Sequence, residues 1–600
     1  MMAKRPPRAC PAARRVEGLV SGQRAKSRVG SSVLSHRVGA IPLLMRIMER
    51  MQLEPLLRQH VPDKDARTKP ATARVLTVLV CNLLVSREPV YGVAEWAGNY
   101  APDLFQLRPD ELPHLNDDRV GRCLDRVFAA LDSELVLAVV RQVVEEFGVQ
   151  LEELHNDSTT ISFFGNYADA QQEGLLQPAT AGLRQLATPA ITWGHSKDHR
   201  PDLKQLLYIL TVTEDGGIPL YFQTSSGNVV DDQTHQATWE LLRKLVGRAD
   251  FVYVADCKLA TTDNMNAIAR QGGRFITILP ASRKEDAQFR QRLREQPAGV
   301  SWRELYQLRD EDHHVLDTLS VCADEFTSAE GYRLHWILST RKQEDDAAAR
   351  AGLTDRAIRQ LSELRERLLG PRTRFRQRDK VEQAVQEILS GCRVGDWLVV
   401  EIQEAEQETY RQEHRGRPSK TTKYTRTVHK QYTLSWRIDA QRLADAAQDD
   451  GVFPLITNLH DWDARRILEA YKRQPILEKR FSQLKTDFRV APVYLKNVGR
   501  IVGLLAVYFF ALMVQALLER ELRRAMKDQR VSDLPLYPEG RACTRPTTRR
   551  TLDVFENIQR HTIQRRNSAA ESLVTELSPL QRRLLTLLKV SPKNYGASTG

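Results

Sequence analysis

The spacing of apolar residues changes character along this chain. Over residues 38–150, in stretches such as LLMRIMERMQLEPLLRQHV, TARVLTVLVCNLLV and LNDDRVGRCLDRVFAALDSELVLAVVRQVVEEFG, apolar residues return every three or four positions. That period predicts amphipathic helices, with Asn116 or Asp117 as a helix start. From about residue 151 the pattern becomes strand-like. LEELHND, LKQLLYILTVT and GIPLYFQTSS read as three strands, the last two joined through the turn EDGG. A helix over 232–247, the strand DFVYVAD, a helix over 262–271 and the strand RFITIL follow. The order β-β-β-α-β-α-β predicts an α/β fold with a mixed sheet flanked by helices.

The pattern breaks over residues 281–450, where charged helical stretches alternate with short β-like runs such as WLVVEIQEAEQ and KQYTLSWRID. This region reads as an α+β insertion, and GRPSKTTKYTRT within it as a basic loop or hairpin tip. The sheet pattern resumes at GVFPLITNL, so residues 451–519 read as the remainder of the domain begun at 151–280. Residues 520–600 read as a basic helical region. The stretch IVGLLAVYFFALMVQALL (501–518) approaches the length of a membrane span, but it runs straight into ERELRR and fits a helix buried in an α/β core.

Charge narrows the partners. The chain has 600 residues, enough for two to four domains, and a formal net charge of +12, which suits a polyanion. Residues 1–37 hold nine Lys/Arg against the single acid Glu17, with no apolar run of a secretion signal. They read as a disordered basic tail that either contacts DNA or is a bystander. The helical region 38–150 reads equally as a DNA-reading module or a structural bundle. Seven scattered cysteines support neither a disulfide framework nor a zinc site, and fit a reducing cytoplasm.

Three acids carry the candidate chemistry: Asp157 in HNDSTT, Asp256 in VYVADC and Glu478 in PILEKRFSQLK. Two follow predicted strands and one lies on a predicted helix, an order that can gather carboxylates around hard cations. Phosphodiester cleavage is served by two divalent ions, and Mg²⁺ needs only one or two carboxylates per ion when substrate phosphate completes the shell. Glu478 and Lys485, seven residues apart, share a helix face, so the lysine can touch a phosphate while the glutamate holds metal. Pro475 marks the start of that helix and leaves Tyr471 on the preceding one. His155, two residues before Asp157, points to the same side of its strand as a supporting or purely structural residue. The cluster Lys197, Asp198, His199, Arg200 and Asp202 reads as a solvated loop of ion pairs or as a guide for DNA, and Trp302, Trp336, Trp397 and Trp436 as core or as base-stacking residues.

These segments together resemble a DDE transposase of a bacterial insertion sequence, in the group marked by Tyr-x2-Arg-x3-Glu-x6-Lys. Tyr471, Glu478 and Lys485 fall on that spacing, and LHNDSTTISFFG, VYVADCKLAT and the block from WGHSKDHRPDLK to NVVDDQT resemble the group's other segments. Two positions depart from it: Gln474 occupies the arginine position, with Arg473 one residue early, and Cys257 follows the second aspartate. The resemblance implies a ribonuclease H-like catalytic domain with Asp157, Asp256 and Glu478 as catalytic metal ligands. It implies Mg²⁺ or Mn²⁺, two ions, as cofactor, and DNA contact through Tyr471, Arg473, Gln474 and Lys485. Its partners would be terminal inverted repeats and target DNA, bound by a homodimer with no membrane involved. A structure-specific endonuclease of the same superfold and a catalytically silent DNA-binding derivative stand as alternatives.

Overall fold

The computed structural model describes residues 25–26 and 31–595, except 64, 66–67, 132–133, 166, 168–174, 177–186, 311, 371–372, 421, 488–494 and 566–569. The chain forms two compact units: residues 1–275 with 470–600, and residues 276–469. The boundaries fall within the strand Arg274–Ile278 and the helix Ala464–Tyr471.

In the first unit the strands run Pro219–Ser226, Lys204–Thr213, Glu153–Phe163, Val252–Ala255 across a mixed sheet. The first three are antiparallel neighbours, and Val252–Ala255 lies parallel to Glu153–Phe163. The strand of Asp157 is longer than its sequence period predicts. The β-branched and aromatic run STTISF carries it on to Phe163, so Asp157 sits mid-strand and not at a strand end.

The apolar stretch at 501–518 lies within a helix, Val498–Asp528, whose most apolar part is wholly buried. It packs on the Pro219–Ser226 strand, with Phe222 and Phe509 rings 4.8 Å apart, and on the helices Asp117–Ala130, Thr72–Val85 and Ile41–Arg50. Asn116 caps the Asp117–Ala130 helix, its side chain accepting from the Arg119 amide at 2.9 Å. The packing there is backbone-close: a Cβ on Gly503 would lie 2.4 Å from the Leu124 carbonyl oxygen. Arg500 closes the seam with two 2.9 Å hydrogen bonds to Asp125. Each fully buried Leu or Phe in this layer contributes about 1.5–3 kcal/mol. The helical segment 38–150 is thus packed into the first unit instead of standing apart as a domain.

The tail expected over 1–37 lies largely outside the described residues, but Ser31–Arg37 is a strand. It pairs with Gln559–Arg565, which pairs in turn with Glu571–Val574. QRHTIQR has a single apolar residue, Ile563, and so no alternation to mark this strand in a region that reads as helical.

In the second unit the strands run in the order Trp302–Arg309, Val315–Cys322, Arg333–Ser339, Val452–Thr457, with Ile276–Ile278 beside the last. Val452–Thr457, expected in the catalytic portion, therefore belongs to this unit, which runs from Ile276 to Glu469 against the expected 281–450. Helices Thr340–Leu369 and Arg378–Cys392 pack on the base of a two-stranded ribbon, Leu398–Gln412 with Tyr424–Ile438. Trp336 and Trp397 are buried in the two cores of this unit, and Trp302 and Trp436 pack against them, which is the core role for all four.

Candidate active site

Asp157 and Asp256 come together through strand register. The parallel ladder between their strands ends at Asn156↔Ala255, and the next residue on each side is an aspartate. Both are half-buried. Burial pushes the Asp157 carboxyl up; the charge of Lys197 opposes that push and the charge of Asp256 adds to it. Asp256 begins a short turn of helix, its carboxylate accepting from the Lys258 amide at 3.1 Å. Two acids at adjacent half-buried positions repel unless a proton or cation is shared between them.

Glu478 reaches the same region on a helix that starts, as predicted, at Pro475. Leu477 and Leu484 face the core, Glu478 is exposed, and Lys485 is half-buried. The α-helix ends at Ser482, and a π-helical turn, Gln483–Asp487, carries Lys485, so the seven-residue shared-face rule applies only approximately. Arg480 locks the helix onto the turn between two sheet strands, donating to the Gly217 carbonyl at 2.8 Å and the Gly216 carbonyl at 2.7 Å. Gly217 is required there: its φ is +62°, and a Cβ would lie 2.4 Å from Ile476 Cγ2. On the far flank, buried Glu519 accepts from Lys479 at 2.8 Å and tethers the helix to Val498–Asp528.

Tyr471 closes the arrangement. Its hydroxyl is pushed well above the usual tyrosine range, first by burial and then by the charges of Asp256, Cys257, Asp157 and Glu478. All three acids therefore act on one phenol. Their oxygens do not converge on a single point: among the described residues, the one group of three whose ligand atoms all lie within 4.8 Å of one another is Asp310, Asp312 and His314, in the second unit. There the Asp310 carboxylate accepts from the Asp312 and His314 amides at 3.0 and 2.8 Å, a self-capped turn. A site for two ions separates its ligands more widely than a one-ion site does. The half-buried pair of hard oxygen donors, with one lysine against them, suits a divalent cation such as Mg²⁺.

Arg473, Lys197 and Lys485 each meet a carboxylate. Arg473 donates to buried Glu153 at 2.7 and 2.5 Å, and His155 meets the same carboxylate at 2.8 Å. Burial alone would raise Glu153, but the hydrogen bonds from Arg473 and His155 bring it down to about 2. Arg473 thus ties the start of the Asp157 strand to the residues before the Glu478 helix. Gln474 sits at the N-terminus of that helix, with no capping hydrogen bond from its side chain.

Lys485 pairs with Asp198 at 2.5 Å. Lys197 donates to Ser158 Oγ at 2.7 Å and to Asp157 Oδ1 at 3.2 Å. Only Arg200 and Asp202 behave as the solvated pair that the sequence suggests. Lys197 and Asp198 are the site residues that sequence reasoning underweighted. Their signal was a dense run of charge directly before an apolar strand.

Residues 33–141 match the profile of a domain of unknown function (DUF4277). No curated protein matches the chain. Among solved structures, it is similar to the piggyBac transposase in a synaptic complex with hairpin DNA, at 10% identity and a TM-score of 0.24. That overlay covers 53% of this chain and 63% of the other, less than two thirds of its length, and is too loose to bear on the site.

Proposed function

We propose that this chain is a DDE transposase of the insertion-sequence type, with a ribonuclease H-like catalytic sheet in its first unit. It would bind the terminal inverted repeats of its element, cleave there, and join the freed 3′ hydroxyl to target DNA. The observation that carries this reading is the placement of Asp157 and Asp256 one step beyond the last paired residues of adjacent parallel strands, with Glu478 acting on the same Tyr471 hydroxyl. Asp157, Asp256 and Glu478 would hold the divalent metal, Mg²⁺ or Mn²⁺, which when bound activates the attacking oxygen and neutralises charge on the phosphate.

The protein's own groups supply the rest. The charge of Lys197 opposes the push of burial on the Asp157 carboxyl and so favours its ionised, metal-binding form. The Glu153–Arg473 pair and the Arg480–Gly217 hydrogen bond fix the strand and helix that carry the acids. Lys485, beside Asp198 at the edge of the site, is positioned to exchange that carboxylate for a DNA phosphate. Both cleavage and joining are in-line phosphoryl transfers, which one such site serves in turn.

The test is cleavage of a duplex carrying the element's end. Asp157→Ala, Asp256→Ala and Glu478→Ala should each abolish cleavage, as should chelation of divalent metal, while end binding is retained. Near-normal cleavage by one variant removes that residue from the site; cleavage by all three removes the reading.

A further inference from the structure

The ribbon of the second unit has more length than its fold uses. Each strand has 15 residues, about 50 Å of extended chain, paired without interruption from Leu398↔Ile438 to Gln412↔Tyr424. Only the base is packed: Leu398, Tyr432 and Leu434 are buried in a core with Leu361 and Leu364. From Gln403 to Gln431 no described residue is buried. Two strands alone are marginal in water, and both edges of this pair are open. Such an arm implies a partner, and its charge says which kind.

Along the shaft, cations are matched across the strands: Lys430 with Glu404 at 2.6 Å, and Arg426 with Glu408. Beyond them the balance changes. Residues 411–423 carry Arg411, Arg415, Arg417, Lys420 and Lys423 against Glu413 alone, a net +4 with His414 neutral. Among the described residues none of these five makes an ion pair. Tyr410 and Tyr424, 61% and 48% exposed, flank the tip.

We infer that this ribbon is an arm that inserts its tip into a groove of duplex DNA, with Arg415, Arg417 and Lys420 against phosphates. A two-stranded ribbon has the width that the major groove admits, and concentrated cations at its end match the phosphate walls. The inference rests on the reading of DNA as substrate and adds a binding surface far along the chain from the three acids.

The experiment uses the full chain and a fluorescently labelled duplex, with binding followed across a salt series. Combining Arg415→Ala, Arg417→Ala and Lys420→Ala should flatten the slope of log K against log salt by about 2.7, at about 0.9 for each phosphate left unneutralised. The melting curve should not move, since the three side chains are exposed, and the charge-conserving set R415K/R417K should keep the original slope. An unaltered slope in the alanine variant overturns the arm. So does a change in oligomeric state with the slope unaltered, which would make the ribbon an interface between copies. A wild-type chain that binds no duplex overturns both the arm and the functional reading, whereas binding that behaves as expected without any cleavage overturns the functional reading alone.

Discussion

Glu153→Gln is the most revealing single substitution. Glu153 opens the Asp157 strand, is buried, and takes three hydrogen bonds, two from Arg473 and one from His155. These hold it at about 2 against an ordinary value of 4.5, and each tenfold difference in proton affinity is about 1.4 kcal/mol, giving about 3 kcal/mol of stability. Because the folded-state value is depressed, that stability is present above about pH 4.5 and is lost as pH falls through about 2. Glu214 works in the opposite direction. Burial, and then the charge of Glu153, raise it to about 7, so its share is present below about pH 4.5 and is lost as pH rises through 7. The variant removes the first effect and the part of the second that the Glu153 charge supplies, while burial still raises Glu214. Urea unfolding of wild type and variant from pH 3 to 8 should therefore show the largest deficit, about 3 kcal/mol, near pH 5, narrowing towards pH 8. The variant should also require more Mg²⁺ for half-maximal cleavage, because the tie between the strand of one acid and the helix of another is cut. Equal stability at pH 5, or a deficit that grows with pH, refutes the linkage; an unchanged Mg²⁺ requirement refutes the tie.

Three other substitutions probe the same frame. Leu484→Ala should cost about 2–5 kcal/mol in thermal or urea unfolding with end binding preserved at low temperature, whereas Lys485→Ala should barely move stability and should weaken end binding and strand transfer. The reverse result would mean that the Glu478 helix is turned the other way. Gly217→Ala places a Cβ 2.4 Å from Ile476 at a φ of +62°, so it should lower the melting temperature and cleavage together; an unchanged melting curve would show that the turn does not hold the helix. Lys197→Met removes the charge that counters burial at Asp157, so the acid limb of the cleavage profile should move to higher pH, and an unmoved limb rules out that role.

Much of this frame is legible in the sequence because it depends on local pattern. β-Branched and apolar runs mark the strands of Asp157 and Asp256, and Pro475 marks the start of the Glu478 helix. What stays hidden depends on distance along the chain. Arg473 resembles a spare surface cation until its carboxylate, 320 residues earlier, is placed beside it. Lys197 resembles loop charge until the sheet brings it against Asp157, 40 residues away. The strand at Ser31–Arg37 has no apolar run of its own and takes its form from a partner near the other end of the chain.

That last pairing bears on how the chain is made. Ser35 meets His561 at 2.8 Å across 526 residues, and the helices of the matched domain cover a central helix that begins only at Val498. On a ribosome adding 5–20 residues per second, the first strand and its helices wait roughly half a minute to two minutes for their partners to emerge. For that interval the apolar faces of 38–150 that pack on the Val498–Asp528 helix lack their partner. Nascent chains stopped before about residue 520 should be retained by chaperones or degraded, and the protein should become competent only when synthesis is almost complete.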